Sequence, residues 1–176
     1  LLLAALVFTV AACAIREYLR IIFSRVDGPV SKAIRAISYI TCTCLVAGAG
    51  AGSLPVMLLA LALNVMLLSV FVLFRFASQA HVFDIIAKQV LGIVYIPLSL
   101  SLLVFVRNMQ DGIFWIFWLL IVCFINDTGA FYTGTFFGKH KLSPHISPNK
   151  TIEGSLGGVA AAMTAGVVCI LVYFGP

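Results

Sequence analysis

The chain has 176 residues, of which 62% are hydrophobic and 10% are charged, and its formal net charge is +5 at pH 7. Soluble domains carry about 25% charged residues, so this chain has too few polar side chains to cover an apolar core in water. These numbers exclude a water-soluble globular protein. Because the sequence opens inside an apolar run and ends directly after another, we expect it to be a fragment of a longer protein.

Long apolar runs predict the helices that cross the membrane. A crossing needs about 20 apolar residues, and the uncharged run 36–74 is divided by a Gly-, Ser- and Pro-containing cluster at residues 48–55. The predicted spans lie near 1–15, 34–48, 55–74, 85–106, 112–126 with an uncharged extension over 128–138, and 154–174. Because lipid offers the backbone no hydrogen bonds, we predict an all-α fold: a polytopic transmembrane helical bundle of about six spans, forming a single transmembrane domain over residues 1–176.

Basic residues are concentrated in alternate connections between these spans. The connections at 16–35, 75–88 and 127–153 are rich in Lys and Arg, and the other two contain only Arg107. The positive-inside rule therefore predicts that the three basic connections lie in the cytoplasm. This topology, together with anionic lipid headgroups, accounts for the net positive charge. Nucleic acid is consequently not an expected partner.

Polar side chains accumulate in residues 126–158, which differ sharply in composition from the rest of the chain. Asp127 lies at the predicted cytoplasmic end of the fifth span, where a carboxylate is costly unless it is hydrated, paired or bound to a cation. It is the best metal-ligand candidate in the sequence, and the alternative is a hydrated helix-end residue with no further role. Gly129, Gly134 and Gly138 predict close approach between helices. A Walker A loop is excluded, because only three residues separate the last two of these glycines and His140 follows the lysine.

A basic segment leads into the predicted sixth helix. It contains a compact patch of Lys139, His140, Lys141 and His145. Thr151 or Ser147 can cap the helix start, and Glu153 favours the first turn. Exposed backbone N–H groups beside Lys150 then predict an anion site suited to phosphate. The alternative is a capped turn whose lysines only follow the topology rule.

Three motifs in this segment resemble those of the phosphatidate cytidylyltransferase family, also called CDP-diglyceride synthases. They are NDTGAF at 126–131, FGKHKL at 137–142 and ISPNKT at 146–151, and they are followed by Glu-Gly at 153–154 and Gly-Gly at 157–158. The resemblance implies an enzyme that makes CDP-diacylglycerol and pyrophosphate from CTP and phosphatidate at the cytoplasmic membrane face. The family's acidic C-terminal signature does not occur in residues 1–176, so we expect these residues alone to be inactive.

The resemblance also implies roles for individual residues and for partners. The implied catalytic residues are Asp127, which is also the metal ligand, and Lys150, and the implied substrate contacts are Lys139, Ser147, Thr151 and Glu153. The implied cofactor is Mg²⁺, with K⁺ as a further candidate. The implied partners are CTP, phosphatidate and membrane lipids, with a homodimer as a candidate assembly. Residues 127–153 would form a cytoplasmic active-site loop of an integral protein of the bacterial cell (inner) membrane.

Two other classes of function stay open. A CTP-dependent lipid kinase of the polyprenol or phytol type would transfer the γ-phosphoryl group of the nucleotide instead of its cytidylyl group. A non-enzymatic membrane transporter would place polar or broken-helix features near the bilayer midplane. The polar residues well inside a predicted span are Asn64, Gln89 and scattered Ser or Thr.

Overall fold

The computed structural model describes residues 2–23, 29–76, 82–144 and 147–175. The helices are α1 (Leu2–Ile22), α2 (Pro29–Gly50), α3 (Leu54–Phe76), α4 (Val82–Ile93), α5 (Ser99–Arg107), α6 (Gly112–Phe137) and α7 (Ile152–Phe174). Two short strands, β1 (Lys141–Ser143) and β2 (Ser147–Thr151), form an antiparallel hairpin between α6 and α7. The prediction of an all-α fold is confirmed, because this hairpin is a minor addition to a helical protein.

Within the described residues, six helical segments are long and apolar enough to cross a membrane. They are Leu2–Ile22, Lys32–Gly50, Leu54–Phe74, Phe83–Arg107, Gly112–Phe137 and Ile152–Phe174. The fourth segment combines α4 and α5, which are joined by a π-helical turn at Val94–Leu98 that contains Pro97. Proline has no N–H to donate, so the regular helical hydrogen bonding is interrupted there. The predicted number of spans is confirmed, and the protein is an integral membrane protein.

The first helix is longer than its apolar run. We expected a span over 1–15, but α1 continues to Ile22. Ile15 and Leu19 extend a stripe of buried residues, whereas the neighbouring Arg16 and Arg20 are exposed. The charged residues therefore lie on a helix face that does not pack, and they do not end the helix.

The fifth span is also longer than its most apolar part. Helix α6 continues through Phe137 and ends at Gly138, whose N–H donates to the Gly134 carbonyl oxygen at 3.1 Å. Residues 127–137 of the predicted active-site loop are therefore helical. Asp127 lies within α6 and not at its end.

The chain divides into two compact units, Leu1–Gln110 and Asp111–Pro176. In the first unit, α1 to α5 contribute to one apolar core. The second unit is the α6–α7 pair with the β1–β2 hairpin at one end, and it carries all the predicted site residues. The predicted single domain over residues 1–176 stays a prediction.

A buried polar network joins α2, α3 and α4 in the first unit. The side-chain amides of Asn64 and Gln89 donate to each other, at 3.2 Å and 3.0 Å. Thr41 Oγ1 donates to Asn64 Oδ1 at 3.0 Å, and Gln89 Nε2 donates to Ser38 Oγ at 2.9 Å. All four side chains are buried. The two polar residues that were considered as a transport feature therefore bond to one another and hold three helices together.

Replacing Asn64 by leucine should destabilise the first unit by about 1–2 kcal/mol, because the Gln89 amide loses both of its hydrogen bonds with Asn64 inside the helix bundle and keeps the one to Ser38. Thermal unfolding in detergent measures the loss. The double variant Asn64→Leu/Gln89→Met removes both amides. We expect its loss of stability to be smaller than the sum of the losses in the two single variants. Additive losses would show that the two amides do not depend on each other.

Candidate functional site

Helices α6 and α7 approach each other closely along a stripe of small residues. The buried residues of α7 occur at every fourth position and are Gly154, Gly158, Ala162 and Gly166. A Cβ atom at Gly154 would lie 2.8 Å from the backbone oxygen of Ala130, and one at Gly158 would lie 2.7 Å from that of Asn126. Both distances are too short for a side chain, so the two backbones are in direct contact, as is common for glycines in membrane helices.

The β1–β2 hairpin carries the chain from the end of α6 to the start of α7. Lys141 pairs with Thr151 and Ser143 pairs with Ser147, with an irregularity between the two pairs. His145 of the predicted basic patch lies outside the described residues. The hairpin thus places Lys141 next to Thr151, the residue that directly precedes α7.

The first turn of α7 is capped by the protein itself. Thr151 is the N-cap residue, and its Oγ1 accepts a hydrogen bond from the Gly154 N–H at 3.1 Å. The Ile152 N–H donates to the His140 carbonyl oxygen at 2.9 Å. The predicted phosphate site required free N–H groups at this helix start. Two of these groups are bonded within the chain, one of them to the predicted cap Thr151, and the anion site at this helix start stays a prediction.

Glu153, in the same turn, binds the segment that follows α6. Its carboxylate accepts hydrogen bonds from the backbone N–H groups of Lys139 at 3.1 Å and of His140 at 3.2 Å. The His140 ring Nδ1 also lies 2.6 Å from Glu153 Oε1. The Glu153 side chain is only 26% exposed. Its carboxylate is therefore occupied by protein groups.

A cavity of about 760 Å³ is formed by α6, α7 and the hairpin. The polar residues on its wall are Asn126, Asp127, Thr135, Lys141, Ser147, Asn149, Lys150, Thr151 and Ser155. This volume is in the usual range for small-molecule sites. The wall brings one carboxylate and two lysine ammonium groups to a single site beside hydroxyl and amide groups.

Asp127 is the acidic residue of this wall. Among the residues that the structure describes, no side chain forms a salt bridge with its carboxylate. The same residues contain no group of three or more His, Cys, Asp or Glu that could hold a metal ion. Mg²⁺ is commonly bound by one or two carboxylates, together with water and substrate phosphates. One carboxylate on the same cavity wall as two lysines fits that kind of metal site and does not fit a cage made only of protein ligands.

The predicted site residues do not all reach the cavity. Its wall contains four of them: Asp127, Ser147, Lys150 and Thr151. Lys139 and Glu153 are not among the lining residues, and Glu153 binds the backbone at 139–140 instead. Lys141 and Asn149 line the wall although no substrate contact was assigned to them. The missed signal for Lys141 is strand pairing with Thr151, which depends on a hairpin that the sequence pattern did not reveal.

The sequence of this chain is similar to those of known cytidylyltransferases. A model of the cytidylyltransferase family matches residues 1–175. The phosphatidate cytidylyltransferase of Bacillus subtilis strain 168 is 35% identical over 109 residues, which are 61% of this chain and 39% of that protein. The phosphatidate cytidylyltransferase of Staphylococcus haemolyticus strain JCSC1435 is 36% identical over 109 residues, which are 60% of this chain and 38% of that protein.

A third relative gives the same result. The phosphatidate cytidylyltransferase of Staphylococcus aureus strain COL is 33% identical over 100 residues, covering 57% of this chain and 35% of that protein. The chain thus matches less than two fifths of the length of each of these curated relatives. The family model, in contrast, matches the chain almost from end to end. The chain therefore belongs to the cytidylyltransferase family.

Proposed function

We propose that this protein transfers the cytidylyl group of CTP to phosphatidate, forming CDP-diacylglycerol and releasing pyrophosphate. The observation that carries the proposal is the cavity in which the carboxylate of Asp127 shares a wall with Lys141 and Lys150. The relatives from Bacillus subtilis and Staphylococcus haemolyticus are phosphatidate cytidylyltransferases, and their similarity to this chain supports the same reaction class. The cavity lies where the two apolar helices α6 and α7 meet a polar hairpin, so a soluble nucleotide and a membrane lipid can both reach it.

The reaction joins two anions, and this determines what the residues must do. An oxygen of the lipid phosphate attacks the α-phosphorus of CTP, the bond from that phosphorus to the bridging oxygen breaks, and pyrophosphate leaves. No covalent enzyme intermediate is needed. Lys141 and Lys150 would hold the phosphates and offset their mutual repulsion, while Ser147 and the Asn149 amide would orient them.

Mg²⁺ is the proposed cofactor, and Asp127 is its proposed protein ligand. When bound, the ion would supply positive charge to the reacting phosphates. Thr151 would act mainly as the helix cap, with its hydroxyl hydrogen free to donate to a phosphate oxygen. Three further points stay predictions: a role for K⁺, a homodimeric assembly, and the expectation that nucleic acid is not a partner.

Lys150→Ala tests the proposed phosphate site by equilibrium binding. We expect the Kd for CTP to rise by about tenfold, because a charged hydrogen bond to phosphate is lost. Isothermal titration calorimetry in detergent with Mg²⁺ measures this change. The matched control is Lys139→Ala, which removes the same charge from a side chain that is not on the cavity wall. Equal losses for the two variants would show that general positive charge, and not this cavity, attracts the nucleotide.

We further propose that the cavity opens to the cytoplasm, as the positive-inside rule favours for the connection at 127–153, and that the membrane is the cell (inner) membrane of a bacterium, since the relatives are bacterial. Cysteines placed at Lys141 and Arg25, in a background without the native cysteines, should react from the cytoplasmic side with an impermeant thiol reagent. Cysteines placed at Gly52 and Met109 should react from the opposite side. Labelling of all four positions from one side would contradict this topology.

A further inference from the structure

Glu153 has an unusual position for an acidic residue beside a proposed phosphate site. Its carboxylate would repel phosphate if it faced the cavity, yet it is not on the cavity wall. Instead it accepts hydrogen bonds from the backbone N–H groups of Lys139 and His140. The Glu153 carboxylate therefore binds the backbone of the segment that follows α6.

Both backbone polar groups of His140, its N–H and its carbonyl oxygen, are hydrogen-bonded. Its N–H donates to Glu153, and its carbonyl oxygen accepts from the Ile152 N–H at 2.9 Å. Its ring adds a third contact, with Nδ1 2.6 Å from Glu153 Oε1. All these partners belong to the first turn of α7, so the position of His140 is fixed relative to that helix.

Lys141 follows His140 directly and is the first residue of β1. Its pairing with Thr151 is followed by a shift in register before Ser143, so the strand pairing is irregular at this point. A further restraint on the Lys141 backbone comes from His140, which precedes it and is hydrogen-bonded to the first turn of α7. Lys141 carries its ammonium group on a long flexible stem, so the position of its backbone decides how much of the cavity that group reaches.

We propose that Glu153 is a positioning residue that holds His140 and thereby places the Lys141 ammonium group on the wall of the cavity, where it binds nucleotide phosphate. This inference rests on the proposed function, in which the cavity receives CTP. It replaces the direct substrate contact that the sequence suggested for Glu153. Without the carboxylate, the segment from Lys139 to Lys141 would sample more conformations. Ordering Lys141 when CTP binds would then cost conformational entropy, and the affinity for CTP would fall.

A double-mutant cycle tests whether Glu153 acts through Lys141. We expect Glu153→Ala and Lys141→Ala each to raise the Kd for CTP by about tenfold, and the double variant to bind no more weakly than Lys141→Ala alone, within about twofold. Glu153→Gln retains one acceptor oxygen for the backbone N–H groups and should keep most of the affinity. Glu17→Ala, which removes an exposed carboxylate paired with Arg20 on α1, is the matched control and should bind CTP normally.

Hydrogen–deuterium exchange gives a second readout that does not require nucleotide. The backbone amides of Lys139 and His140 should exchange slowly in the unsubstituted protein and in Glu153→Gln, and faster in Glu153→Ala. Two results would overturn this inference alone, provided that the unsubstituted protein binds CTP. One is a double variant whose loss of affinity equals the sum of the two single losses, and the other is unchanged amide exchange at Lys139 and His140 in Glu153→Ala. Failure of the unsubstituted protein to bind CTP would overturn the proposed function and, with it, the role assigned to Lys141.

Discussion

Asp127→Asn is expected to lower the rate of CDP-diacylglycerol synthesis by at least about 100-fold, equivalent to about 3 kcal/mol of lost transition-state stabilisation. Asparagine keeps the size of the side chain and one carbonyl oxygen, but it loses the charge that a hard divalent cation prefers. Within the described part of the chain, no side-chain cation pairs with this carboxylate, so the loss would not arise from a broken salt bridge. The rate should be measured in the complete gene product, over a range of Mg²⁺ concentrations.

Asp84→Asn makes the same chemical change at a second carboxylate and serves as the control. Asp84 is exposed and forms a salt bridge with Lys88 at 2.6 Å on α4. Exposed pairs of this kind contribute little to stability, so this variant should retain nearly full activity. A wild-type rate with an unchanged Mg²⁺ dependence in Asp127→Asn would show that Asp127 is a hydrated helix residue with no part in metal binding.

Gly158→Val is expected to separate α6 from α7 and to damage the site as a consequence. The new Cβ would lie 2.7 Å from the Asn126 backbone oxygen and 2.9 Å from Ala130 Cβ, so the helices must move apart. Overpacking of this kind costs about 1–3 kcal/mol, which should lower the melting temperature by about 2–10 °C. Because Asn126 and Asp127 line the cavity, the displacement should also reduce activity by about 100-fold.

Gly50→Ala is the matched control for the loss of a glycine. A Cβ at Gly50 would meet no atom within 4 Å, so the melting temperature and activity should stay close to those of the unsubstituted protein. Differential scanning fluorimetry in detergent and the activity assay measure both variants together. A Gly158→Val protein with unchanged melting temperature would contradict the close packing of α6 on α7.

The helices could be predicted well because the cost of exposing backbone polar groups in lipid limits a membrane span to a few structures. The ends of the helices were harder to predict. Helix α6 continues through Asp127 to Phe137, as the uncharged extension over 128–138 allowed, although residues 127–137 were also assigned to the active-site loop. The close packing of Gly129 and Gly134 against α7 is a contact between distant segments that local hydropathy does not show. The extension of α1 past Arg16 has a similar origin, since Leu19 is buried while the arginine is exposed.

The candidate site shows the same division between local and distant information. Asp127, Ser147, Lys150 and Thr151 were identified from short motifs, and they lie on one cavity wall. The roles proposed for Lys141 and Glu153 depend on a hairpin that folds the 139–141 segment against the first turn of α7. A carboxylate at a helix start can bind a substrate, a metal or the protein's own backbone, and sequence alone does not distinguish these partners.

The position of the label transferred from CTP to lipid tests the central proposal most directly. Membranes that contain the complete gene product should be incubated with phosphatidate, Mg²⁺ and CTP labelled with ³²P at either the α- or the γ-phosphorus. We expect the α-label to enter a chloroform-soluble product that comigrates with CDP-diacylglycerol, and the γ-label to leave as pyrophosphate. Transfer of the γ-label to a lipid alcohol would indicate a CTP-dependent lipid kinase, and it would contradict the proposed cytidylyl transfer.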